Sequence, residues 1–97
     1  FIKAKKSLGQ NFLIDLTILD QIATALMIQD HNILEIGPGY GALTEHLIAQ
    51  SPRHLDLVEL DPDMIEILST RQREEWSQAP LSIHHQDILS YVPTYPL

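Results

Sequence analysis

Chemistry in this sequence is concentrated in Glu35-Ile36-Gly37-Pro38-Gly39-Tyr40-Gly41, a carboxylate followed by closely spaced glycines. Such spacing lets a backbone turn tightly and approach a ligand whose space a Cβ would occupy. Gly37, Gly39 and Ala42 satisfy the G-x-G-x-x-A form of a dinucleotide fingerprint, so the glycines alone fit NAD or another adenosine cofactor equally. Glu35 separates the two. A carboxylate at the end of a buried strand is costly unless it is paired or hydrogen-bonded. A cationic ligand offsets that cost, whereas a pyrophosphate in the same crevice is repelled. S-adenosylmethionine, with its ammonium and sulfonium, is therefore the expected cofactor. The plainer alternative is that Glu35 only accepts hydrogen bonds from nearby backbone amides.

Two more acids fall at matching places. Glu59 ends the run Val58-Glu59 and is placed to accept both ribose hydroxyls of an adenosine. Asp61 competes for that role, but Pro62 follows it directly, so Asp61 is read as a helix cap. Asp87, after a third strand, is placed to accept from an adenine amino group, with Ile88 on the ring face; a solvated loop acid is the bland alternative.

The elements that position these residues follow from periodicity. Leu16, Leu19, Ile22, Ala23, Leu26 and Met27 recur at helical spacing after Asp15, predicting a helix with one buried face. Asn32 to Ile36 reads as a buried strand, Gly41 to Ser51-Pro52 as a turn and helix, and Leu55 to Leu60 as a second strand. A helix from Pro62 into the charged stretch 71–75 and a strand Leu81 to His85 complete the series. Parallel strands joined by right-handed crossovers then lie in the order 3-2-1, half of a doubly wound Rossmann-like α/β domain. The expected organisation is a basic arm over 1–14 and this domain over 15–97.

Ninety-seven residues with 44% hydrophobic and 20% charged residues make one ordinary globular domain. No apolar run approaches the roughly 20 residues needed to cross a bilayer, so no membrane role is expected and the cytoplasm is the expected location. Zero cysteines exclude disulfides, a thiolate zinc site and a cysteine nucleophile. Phe1 in place of a starting Met points to an excised piece. Lys3, Lys5 and Lys6 precede every acid; from Asp15 onward three basic residues face thirteen acidic ones, a balance of −10. Broad nucleic-acid binding by such a body is unexpected, while the basic arm retains the charge to meet RNA phosphates. His84-His85 with Asp87 is not read as a metal site, because adjacent strand residues face opposite ways. Trp76 reads as a packing residue at a helix end.

Four strings together resemble a family: Ser7-Leu8-Gly9-Gln10-Asn11-Phe12-Leu13, then Glu35-Ile36-Gly37-Pro38-Gly39-Tyr40-Gly41-Ala42-Leu43-Thr44, then Val58-Glu59-Leu60-Asp61, then Gln86-Asp87. In this order they resemble the N-terminal third of the ribosomal RNA adenine dimethyltransferases, most closely the bacterial small-subunit group. The resemblance implies that Asn11 and Leu13 contact the cofactor, Gly37 approaches its methionine portion, Glu59 holds the ribose and Asp87 the adenine. It further implies methyl transfer to two adjacent adenosines of small-subunit rRNA, in a 30S precursor, during ribosome biogenesis. The amine acceptors that the family draws from an Asn-Leu-Pro-Tyr motif do not occur in these 97 residues, so the chain alone is expected to be inactive. With the strand Ile33 to Ile36 left as a sheet edge, it is also expected to self-associate. Two other readings are an NAD-dependent oxidoreductase half-domain and a noncatalytic nucleic-acid-binding module on the same fold.

Overall fold

The computed structural model describes residues 2–3, 13–14, 22 and 27–92. Two short strands, β1 (Ile2–Lys3) and β2 (Leu13–Ile14), pair antiparallel, with Ile2 opposite Ile14. This ribbon had no periodic signature in the arm, since two residues per strand are too few to show one. Of the helix expected after Asp15, Ile22 and Met27 are described: Ile22 is helical but 40% exposed, and Met27 lies in a turn with left-handed φ +54 and 77% exposure, so neither joins the buried face the spacing predicted.

Three strands form the sheet that matters here. They are β3 (Asn32–Ile36), β4 (His54–Glu59) and β5 (Leu81–His85), all parallel, in the order β3-β4-β5. This is the expected 3-2-1 arrangement, and the bounds of β3 and β5 match their apolar runs. β4 sits one residue earlier than its run suggested: Glu59 pairs with His85, and the Leu60 amide turns back to the Glu59 carboxylate. As the middle strand, β4 is buried on both faces from Leu55 to Glu59, the usual state of a parallel strand.

Two helices connect the strands. α1 (Ala42–Ala49) starts at Gly41 and ends before Ser51-Pro52. α2 (Pro62–Glu74) is capped by Asp61, whose carboxylate accepts from the Asp63 amide at 2.9 Å, with proline in the first turn as the sequence predicted. Leu47 of α1 and Leu68 of α2 pack with Leu55, Leu57 and Leu81, while Trp76, just past α2, closes the cluster. The alternate residues His54, Asp56, Ser82 and His84 fall on the opposite sheet face. No described helix is long and apolar enough to cross a membrane.

Candidate functional site

All three predicted acids lie at or just beyond the C-terminal ends of the strands, where ligands bind in open α/β sheets. The glycine turn between β3 and α1 is pinned there by its own amides. Gly37 N–H donates to Val58 O at 2.8 Å, Gly41 N–H to Pro38 O at 2.9 Å, and Gly39 N–H to Glu59 Oε1 at 3.0 Å. Gly39 (φ +58) and Gly41 (φ +89) are both left-handed, but they serve different ends. A Cβ on Gly39 would meet nothing within 4 Å, so open space lies over the turn. A Cβ on Gly41 would stand 2.6 Å from Trp76 Cη2, so there the glycine admits the protein's own side chain rather than a ligand.

Glu59 is 2% exposed and more committed than a lone ribose acceptor. Besides Gly39 N–H, it accepts from Leu60 N–H at 2.9 Å and Asp61 N–H at 3.0 Å, both on Oε2. It therefore ties the glycine turn to the β4–α2 turn, and Oε1 keeps capacity for one more donor. Beside it is a cleft of about 220 Å³ lined by Ile36, Gly37, Glu59, Leu60, Asp87 and Ile88. That is below the roughly 300 Å³ at which whole-ligand pockets begin, and suits one moiety of a larger ligand. Asp87 is exposed; its Oδ1 accepts from Leu89 N–H at 2.9 Å and caps the 3-10 turn Ile88–Ser90.

Glu35 is buried, and its partner is not a backbone amide: Thr44 Oγ1, from α1, donates to Oε1 at 2.6 Å. Burial pushes the carboxyl up to about 7 and the neighbouring Glu59 charge adds to that, against the opposing Thr44 bond.

Of the other expected residues, Asn11, Lys5 and Lys6 lie outside the described residues. Lys3 and Leu13 are described only as backbone in the β1–β2 ribbon. His84 and His85 turn to different partners, Asp56 Oδ1 at 2.7 Å and Leu60 O at 3.2 Å. Sequence reasoning missed Arg71, which reaches the glycine turn from α2. Its only sequence signal is Glu75 four residues on, which says nothing of a contact with residues 30 positions away.

A family model described as "Ribosomal RNA adenine dimethylase" matches residues 1–96. The chain is 43% identical over 89 residues to the ribosomal RNA small subunit methyltransferase A of Pelagibacter ubique, covering 92% of this chain and 32% of that protein. Among solved structures it resembles a dimethyladenosine transferase from Plasmodium falciparum, with TM-score 0.71, 27% identity, and coverage of 89% of this chain and 30% of the other. It resembles the 23S rRNA methyltransferase ErmE equally in shape, with TM-score 0.71, 30% identity, and coverage of 86% and 33%. The chain thus spans about a third of the length of the relatives it matches.

Proposed function

The chain belongs to the ribosomal RNA adenine dimethylase family, and from that membership we propose that its crevice seats S-adenosylmethionine in an enzyme that dimethylates adenosine N6 in small-subunit rRNA. The observation that carries this reading is the pair of buried carboxylates, Glu35 and Glu59, beside a glycine turn with open space at Gly39. Two buried carboxylates suit a ligand with an ammonium, a sulfonium and ribose hydroxyls. They repel the pyrophosphate of NAD, which weighs against the oxidoreductase reading.

In this proposal Gly37 and Gly39 give the methionine portion its close approach, and Glu35 faces its positive charge. Glu59 accepts a ribose hydroxyl on the remaining capacity of Oε1. Asp87 accepts from the adenine amine while Ile88 packs on the ring, and Asn11 and Leu13 complete the cofactor's cover. When bound, the cofactor supplies a methyl group activated by its sulfonium. The protein's part is to hold that group in line with the target amine and exclude water. Lys3, Lys5 and Lys6 meet rRNA phosphates, and the enzyme works in the cytoplasm on 30S precursors. By itself the 97-residue chain pairs with a second copy through β3, the edge of the described sheet.

The test is isothermal titration of the complete gene product with S-adenosylhomocysteine and with NAD, followed by transfer of labelled methyl to small-subunit rRNA. Binding of the first alone, with transfer, is expected. NAD binding without S-adenosylhomocysteine would overturn the reading, and cofactor binding without transfer would favour the noncatalytic module.

A further inference from the structure

We propose that Arg71 is a positioning residue for the cofactor turn, bracing its carbonyls from α2 while Glu59 holds its Gly39 amide from β4. The inference rests on the reading of that turn as the cofactor's seat. Arg71 Nη1 donates to Tyr40 O at 3.0 Å and to Gly41 O at 3.3 Å. The rest of the guanidinium is occupied as well. Nε and Nη2 donate to the two Glu75 oxygens at 2.9 and 3.1 Å, Nη2 stands 3.4 Å from Glu45 Oε2, and Cζ lies 4.4 Å over the Trp76 ring.

Each contact fixes something the turn does not fix for itself. Gly37, Gly39 and Gly41 all have positive φ, so beyond the Gly37–Val58 bond the segment follows no helical or strand ladder. α1 begins at Gly41, which has no side chain to cap the helix. Its carbonyl accepts from Glu45 N–H inside the helix and from Arg71 outside it, so the start of α1 is set partly by a residue of α2. Glu45 on α1 and Glu75 after α2 both hold the guanidinium, and the Trp76 ring beneath it fills the space that Gly41 leaves. The amide of Gly39 is drawn toward Glu59 and the next two carbonyls toward Arg71, so the turn is gripped by an acceptor and a donor at once.

Guanidinium geometry is essential to this arrangement. A planar fork serves the turn carbonyls, a bidentate carboxylate and an aromatic face together, whereas an ammonium is a point donor that reaches one set or the other. Lysine at 71 keeps the charge and loses the brace.

The experiment uses the complete gene product with Arg71→Gln and Arg71→Lys. In both, S-adenosylhomocysteine affinity is expected to fall about tenfold, the scale of one charge-assisted hydrogen bond. Amide exchange at Gly39 and Gly41 is expected to accelerate while exchange at Leu55 and Leu57 in β4 stays at the wild-type rate. A merely structural role would speed both regions together, and that outcome overturns the proposal, as does wild-type affinity in either variant. Should the wild-type protein fail to bind S-adenosylhomocysteine, the cofactor reading falls by itself. Exchange at the turn then decides the brace: faster in both variants supports it, unchanged overturns it.

Discussion

Glu35 is fixed by the strand pattern on the helix-covered face of β3, where burial drives its carboxyl up to about 7 from 4.5. The folded state therefore keeps a proton that the unfolded chain loses between these values. Stability from this group is fully present below 4.5 and is lost as pH rises through about 7, a swing on the order of 3 kcal/mol. Glu35→Gln is expected to remove that dependence and to exceed the wild type in stability at about pH 8, with the gap closing toward about pH 5. Urea unfolding of both proteins across the range checks this; a constant gap would show that the carboxyl is not held neutral. The glycines make a second pair. Gly39→Ala pays only for its left-handed backbone, roughly 1–2 kcal/mol, whereas Gly41→Ala adds an overlap with Trp76 of roughly 1–3 kcal/mol. Unfolding midpoints should rank them in that order. The carboxylates were legible in the sequence because strand ends and glycine turns have side-chain signatures. Arg71 was not, because its partners in the turn are main-chain carbonyls, which every residue possesses and no sequence distinguishes.

Elements were legible where their signals were local. Asp61-Pro62 announced the start of α2, and Gly37 and Pro80 bounded β3 and β5. The cap should be measurable: Asp61→Ala is expected to cost about 1 kcal/mol in urea unfolding, with Asp61→Asn recovering most of it. An unchanged midpoint would mean that Pro62 alone defines the helix start. Glu59 shows where local signals stop. The sequence marked it as an acid at a strand end; its bonds to the Leu60 and Asp61 amides are local, whereas its bond to the Gly39 amide, twenty residues away, arises only once β3 and β4 lie side by side. The β1–β2 ribbon failed to announce itself for the opposite reason, being too short to repeat anything.

At the scale of the whole molecule, β3 is the edge of the described sheet, and Ile36 at its end is 59% exposed. An aliphatic strand at a sheet edge is a template for another strand. The 97-residue chain is therefore expected to form dimers at tens of micromolar in sedimentation equilibrium, and a monodisperse monomer would exclude pairing through β3. The same chain, which spans about a third of the length of its relatives, should bind S-adenosylhomocysteine at least about tenfold more weakly than the complete gene product, because cofactor residues act only when held together. Equal affinity would mean that the described crevice is sufficient. Trp76 has a use beyond packing. It is the chain's one tryptophan, 5% exposed, with the Arg71 cation on its face and the Gly41 backbone at its edge. The tryptophan fluorescence of the chain thus arises at the single junction where the glycine turn docks on α2. Its intensity and emission maximum form a built-in optical gauge of that docking, readable without any label.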